Sequence, residues 1–360
     1  MQAYRSSLLR FVASELVFDS DGLLVVGDDG LIAAVGDYGA LKSQYADVPV
    51  THFPNRIIAP GFVDMHTHYP QVDVIASPAD GLLPWLEQYT FPEEAKFADP
   101  EHAAQTADFF TDELLRNGVT TALCFATSHE ASVEALFGMA LRKGLRLITG
   151  LCLMDQHAPA SVLSDPKSLQ TTERLIQKWH GNQQNKKSRL GYAITPRFVP
   201  SCTDSLLRGA GELGAAYPDV WIQSHVAENK DEIAWVQSLY PKARSYAAVY
   251  EQFGLLRKRA VYAHGIYLDD ADRALFAERG ASIAVSPTSN LFLGSGFFDY
   301  ANASASHVEY GLASDVGGGT SLSPFVTMRA AYMSAREGLS KRAVTLSPTQ
   351  LWWQHTAGAA

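Results

Sequence analysis

Between about residue 57 and residue 315 the chain alternates short β-rich runs with long amphipathic stretches, and no other feature limits its fold as tightly. The runs fall at 57–66, 119–126, 145–154, 190–195, 220–226, 260–264, 281–286 and 308–315. Stretches such as 100–117, 171–180 and 269–279 lie between them, with apolar residues at helical spacing. A strand that returns through a helical crossover lies parallel to the one before, and eight such units predict closure into an α/β fold, the (β/α)8 barrel. The first residues break the pattern. Leu23-Leu-Val-Val-Gly27 and Leu31-Ile-Ala-Ala-Val35, split by Asp28-Asp-Gly30, read as a β-hairpin. The predicted organisation is a small β domain over 1–58 and a barrel over 59–360, with the polar run 181–188 as a solvated loop.

Composition narrows the function. Of the 360 residues 47% are apolar, which supplies a sizeable core, and no run of about 18 apolar residues provides a membrane span. The balance of 29 Lys and Arg against 38 Asp and Glu leaves a net charge of -9, with no basic cluster to follow a phosphate backbone. A nucleic-acid partner and a membrane are therefore not expected. Cys124, Cys152 and Cys202 are too few and too scattered for a disulfide framework or a cysteine-rich zinc site. The amino terminus lacks an apolar core followed by a cleavage site, so the expected setting is cytoplasmic.

The histidines carry the chemistry. His66 and His68 close the first run two residues apart, so on a strand both side chains face the same way and can meet one ion. His225 closes the fifth run, His264 the sixth and Asp315 the eighth. Working residues in barrels of this kind come from the carboxyl ends of several strands. Five candidate ligands, all at that end, are hard to explain as packing. Glu228, three residues after His225, is placed to lean over an open metal position and shuttle protons; a helix-capping acid is the plainer alternative. The fourth run ends Ala193-Ile-Thr-Pro-Arg197-Phe198 and supplies no lysine for a carbamylated bridge between two ions. That favours one ion per chain, Zn²⁺, with Fe²⁺ as the alternative. Arg197 offers a fork of donors suited to a carbonyl or carboxylate, against the alternative of a barrel-rim salt bridge. Gln71 offers both an amide donor and a carbonyl acceptor, against the alternative of an ordinary loop residue. The glycine-rich stretches Gly294-Ser-Gly296 and Gly317-Gly-Gly319 read as flexible loops. Trp85, Tyr89 and Phe91 read as packing that could also cover a flat ring.

These stretches resemble a known family. Pro60-Gly-Phe-Val-Asp-Met-His-Thr-His68, His225-Val-Ala-Glu228, Ala263-His-Gly265 and Ser314-Asp315 are similar to motifs of the amidohydrolase superfamily. The runs His66-Thr-His-Tyr-Pro-Gln71, Leu83-Pro-Trp-Leu-Glu-Gln-Tyr-Thr-Phe-Pro-Glu93, Thr195-Pro-Arg-Phe198 and Pro287-Thr-Ser-Asn-Leu-Phe-Leu-Gly-Ser-Gly296 are similar to its guanine deaminases. The resemblance implies that His66, His68, His225 and Asp315 bind one Zn²⁺. It implies that Glu228 shuttles protons, that Asp315 takes a proton from water, and that His264 positions the water or the tetrahedral intermediate. Gln71, Arg197 and Phe198 would hold guanine, and the protein would be a homodimer acting in purine catabolism. It implies further that relatives carry a carboxyl-terminal tail that completes a small β-sandwich with the amino-terminal strands; the expectation is that either the sequence given stops short of that tail or the small domain is incomplete. Two alternatives stay open: a related hydrolase acting on an s-triazine, cytosine or an adenine derivative, and a catalytically silent purine-binding or structural barrel.

Overall fold

A computed structural model describes residues 1–180 and 189–360; the expected loop at 181–188 lies outside the described residues. The chain divides into two compact units. One comprises Met1–Gly61 with Thr356–Gly358 and Ala360, the other Phe62–His355 with Ala359.

In the first unit four strands form one sheet: β1 (Gln2–Val12), β2 (Glu15–Val26), β3 (Ile32–Asp37) and β4 (Val50–Ile58), in the order β3-β2-β1-β4. The hairpin read from the sequence is the antiparallel β2–β3 pair, with Val26 opposite Ile32. Its turn is closed by Gly27 N–H donating to Leu31 O (2.8 Å) and by Leu31 N–H donating to the Asp29 carboxylate (2.9 Å). Ala3, Leu23 and Val25 form its small core, under Tyr38, Leu41, Tyr45 and Val48.

The second unit carries β5 (Phe62–His68), β6 (Val119–Phe125), β7 (Arg146–Gly150), β8 (Cys152–Leu153), β9 (Leu190–Pro196), β10 (Trp221–Val226), β11 (Ala260–His264), β12 (Ser282–Val285) and β13 (Glu309–Leu312). Eight of them run parallel in the order β5-β6-β7-β9-β10-β11-β12-β13, and β8 adds a short pairing with β9. The seam between first and last strands is bridged just beyond β13: Asp315 N–H donates to His66 O (2.9 Å) and His68 N–H to Val316 O (2.6 Å). This is the (β/α)8 barrel expected from the alternation. Val63, Met65, Leu123, Ile148, Ala193, Val261 and Ala284, from six of the strands, form one buried cluster with Ala313 just past β13. The opposite faces pack on helices whose ends follow local chemistry. Helix Pro100–Arg116 starts after the Asp99 cap, and helix Asp270–Arg279 starts with the Asp269–Asp272 capping box.

Three strand boundaries differ from the sequence reading. The run 57–66 joins two elements, because Ile57 and Ile58 end β4 while Pro60-Gly61 breaks the chain before β5. The run 145–154 is interrupted at Leu151, whose N–H turns to the Tyr192 hydroxyl (3.0 Å). Strand β9 approaches so closely there that a Cβ on Gly150 would lie 1.8 Å from Ala193 O. Finally, β13 stops at Leu312, so Asp315 sits three residues beyond the last strand, on a left-handed backbone (φ +49°).

Candidate active site

At the carboxyl ends of the strands the structure gathers the residues that sequence spacing singles out. His66 and His68 point to one side of β5, with their Nε2 atoms 3.1 Å apart. His225, on β10, brings its Nε2 to 3.4 Å from that of His68. The Asp315 carboxylate lies 3.1 Å from His66 Nε2 and 3.4 Å from His68 Nε2. Ligands bound tetrahedrally to Zn²⁺ at its usual bond lengths lie about 3.3 Å apart, close to each of these four separations. His66, His68 and Asp315 form one compact donor triad, and His66, His225 and His264 a second.

The electrostatics agree with that donor set. Burial and the neighbouring imidazoles hold His225 well below the usual histidine range, and burial brings His68 down to about 4. Burial pushes the Asp315 carboxyl up, but His66 and His68 outweigh it and hold it well below the usual carboxylate range. Imidazoles held below the usual range, His68 and His225, beside an anionic carboxylate suit a divalent cation. His225 Nδ1–H donates to Arg197 O (2.6 Å), which leaves the Nε2 lone pair facing the cluster.

His264 stands one step farther out. Its Nε2 lies 3.3 Å from the Glu228 carboxylate and 3.7 Å from that of Asp315, while its Nδ1 meets Asn290 Oδ1 at 2.9 Å. Left-handed backbone at Ala227 (φ +48°) and His264 (φ +74°) turns the chain sharply as it leaves β10 and β11. Such conformations cost energy and concentrate at working sites. The turn at Ala227 buries Glu228, and the helix-capping alternative is excluded. Asn229 caps helix Lys230–Leu239, and Glu232 completes the box by accepting from Glu228 N–H (3.0 Å) and Asn229 N–H (3.2 Å). Burial and the charge of Asp315 push the Glu228 carboxyl up to about 8, against the opposing hydrogen bond from Ser295 Oγ (2.9 Å). The Glu228 carboxyl therefore favours its protonated form at neutral pH, beside the histidine and aspartate donors.

Above these groups lies a cleft of about 440 Å³. Gln71, Arg197 and Phe198 line it, with Trp85 and Leu293 among its apolar walls. Arg197 is paired within the chain, the salt-bridge alternative, through one of its nitrogens. Its Nη1 already meets both carboxylate oxygens of Glu94 (2.7 and 3.0 Å), and both side chains are nearly buried, 3% and 1% exposed. Trp85 combines both readings: it lines the cleft and packs, with Nε1–H donating to Ser77 O (3.0 Å). Tyr89 is tied to Pro78 O instead, and Phe91 lies under the Arg197 guanidinium.

The glycine-rich stretches carry specific contacts as well as turns. Ser295, between Gly294 and Gly296, holds Glu228; a Cβ on Gly319 would lie 1.7 Å from Ser314 O, so the loop after Asp315 is packed too closely for a side chain. The reading from sequence also misses Asp64, Glu94, Asn290 and Ser295. Three of them lie in stretches already quoted for their resemblance, but none has a local spacing that reports its partner. Asp64 accepts from Ser314 N–H (2.9 Å) and Glu94 pairs with Arg197, each across a large sequence distance.

Comparison with known proteins places this geometry. A sequence model described as the amidohydrolase family matches residues 57–359. The guanine deaminase of Escherichia coli K12 is 40% identical over 351 residues, covering 97% of this chain and 78% of that protein. The chain belongs to the amidohydrolase family, among its guanine deaminases. In structure this amidohydrolase matches E. coli guanine deaminase with a TM-score of 0.94 at 38% identity, over 100% of this chain and 84% of that one. It also matches guanine deaminase from C. acetobutylicum, a structure with guanine bound in the active site. There the TM-score is 0.93 at 33% identity, over 99% of this chain and 85% of that one.

Proposed function

We propose that this amidohydrolase uses the cluster at the barrel mouth to hydrolyse guanine, giving xanthine and ammonia. One observation carries the reading: His66, His68, His225 and Asp315 present ligand-spaced donors directly beside a carboxyl, Glu228, that holds its proton at neutral pH. Those four residues would hold one Zn²⁺ per chain, which would supply Lewis-acid chemistry able to bring the pKa of water from 15.7 toward about 7. Fe²⁺ suits the same donors.

The rest belongs to the chain's own groups. Asp315 accepts the proton of the attacking water, and His264, held by Asn290, orients that water. The water adds to the ring carbon that bears the exocyclic amine. Glu228 gives its proton to the adjacent ring nitrogen, then takes the proton of the added hydroxyl as the carbonyl forms and passes it to the amine, which leaves as ammonia; the proton held on Asp315 restores Glu228. Arg197 and Gln71 present hydrogen-bonding groups to the polar edge of the purine, and Phe198 and Trp85 bound the flat ring. One water is consumed and one ammonia released per guanine. A homodimer, a cytoplasmic setting and a place in purine catabolism belong to the same proposal and rest on the family likeness. Among the described residues no helix is long and apolar enough to cross a membrane.

The test is ammonia release by the purified protein from guanine, cytosine, adenine and an s-triazine. Guanine should dominate. Preference for any other member would assign the site to a different aminohydrolase, and silence on all four would leave a binding protein.

A further inference from the structure

Behind the cleft, Glu94 joins the two residues that face the purine. It comes from the short helix Phe91–Ala95, and its carboxylate takes Arg197 Nη1 on both oxygens and Gln71 Nε2 on Oε1 (2.9 Å). The other end of the Gln71 amide is also engaged, since Oε1 accepts from Gly317 N–H (3.2 Å). Glu94 itself is absent from the cleft lining, so it acts through its neighbours.

We infer that Glu94 is the positioning residue that sets the donor and acceptor pattern read by the purine, and through it the preference for guanine; the inference rests on the reading above. An ionised carboxylate is an acceptor only, and a guanidinium is a donor only. The amide of Gln71 can present either face. Facing Glu94 it must turn its NH2 inward, which puts its carbonyl on Gly317 N–H. Turning the amide over would set oxygen against carboxylate and NH2 against N–H, two repulsive contacts at once. The free N–H and the free lone pair of Gln71 therefore have assigned places at the cleft. The same carboxylate neutralises the buried charge of Arg197 and stops its fork from swinging. The guanidinium has donors beyond Nη1, and these remain for a ring carbonyl. An analogue with an amino group in place of the 6-oxo group of guanine presents a donor where this pattern supplies a donor.

Two variants separate polarity from geometry. Glu94→Gln keeps the shape but lets Gln71 turn over, because the new amide can accept or donate. Glu94→Asp keeps the charge opposite Arg197 but withdraws the carboxylate by one methylene. Thermal unfolding establishes folding, calorimetry gives the Kd for xanthine, and steady-state assays give kcat and KM for guanine and for 2,6-diaminopurine. In Glu94→Gln the preference for guanine over 2,6-diaminopurine, as a ratio of kcat/KM, should fall by about tenfold or more. In Glu94→Asp the KM for guanine and the Kd for xanthine should rise by about tenfold, with kcat within about threefold of the parent. An unchanged preference in folded Glu94→Gln overturns the inference, as does a loss of kcat without a change in KM or Kd in Glu94→Asp. If Glu94→Gln does not fold, Glu94→Asp decides, and failure of both to fold reduces Glu94 to a structural residue. A parent protein that releases no ammonia from guanine refutes the proposed function instead, and that result is read before any variant.

Discussion

Replacing Asp64 with Ala should open the barrel seam and, with it, the metal cluster. Asp64 is buried, and its carboxylate accepts from Ser314 N–H (2.9 Å), from His66 N–H (3.3 Å) and from the Ser314 hydroxyl. These contacts fix the segments that carry His66 and Asp315, two of the four donors proposed for the ion. Alanine would leave two buried backbone N–H groups without an acceptor, at about 1–3 kcal/mol each. With the small void added, the loss comes to about 3–5 kcal/mol, a large share of the ~5–15 kcal/mol that holds a native protein together. Asparagine behaves differently. Its Oδ1 can still accept from both N–H groups, and its amide can donate to the Ser314 oxygen. It also removes a charge that is poorly housed, since burial pushes the Asp64 carboxyl up to about 6 despite those hydrogen bonds. Asp64→Asn should stay within about 1 kcal/mol of the parent. The assay is urea unfolding of parent and both variants, with metal content measured on the same preparations. A stable Asp64→Ala protein with its full metal content would refute the reasoning. So would an Asp64→Asn protein as damaged as the alanine variant.

Glu228→Gln should keep metal content near the parent value and lose about 10²-fold or more in guanine turnover, because an amide cannot exchange the proton that Glu228 carries; normal turnover would remove Glu228 from the chemistry. His355 should set part of the acid sensitivity of the fold. Its Nδ1–H donates to Val63 O (2.9 Å), its Nε2 is buried without a partner, and burial lowers it to about 4 from an ordinary 6.5. The folded state thus rejects a proton that the unfolded chain takes up, so the contribution is complete above 6.5 and is lost as pH falls from 6.5 toward 4. That displacement is worth about 3 kcal/mol, and His355→Gln should flatten the stability profile in that window. An unchanged profile would assign the acid sensitivity elsewhere.

The parts legible in the sequence are those encoded over short distances. Alternating runs announce parallel strands, and a His-x-His pair on a strand announces a shared face, so the barrel and its proposed ligands emerge from the chain order. The end of β13 was harder to read, because Val308 to Asp315 stays apolar enough to look like one strand while the backbone already turns at Asp315 (φ +49°). Glu94 was hidden for another reason. In Phe91-Pro-Glu-Glu94 it looks like an acid in the first turn of a helix, where such residues are common. Its partner Arg197 lies 103 residues away, and only the folded barrel puts the two side chains together. The close packing at the glycines of the loop after Asp315 was hidden for a third reason: composition suggests freedom where that packing imposes the choice.

The account stands on one cation meeting residues from β5, β10 and the loop after β13. Elemental analysis of the purified protein, alongside His225→Ala and Asp315→Ala, tests this most directly when guanine turnover is followed on the same samples. The account predicts one equivalent of zinc or iron per chain in the parent, and a loss of metal and turnover together in both variants. A metal-free parent that deaminates guanine at full rate, or variants that keep the ion and the activity, would contradict it.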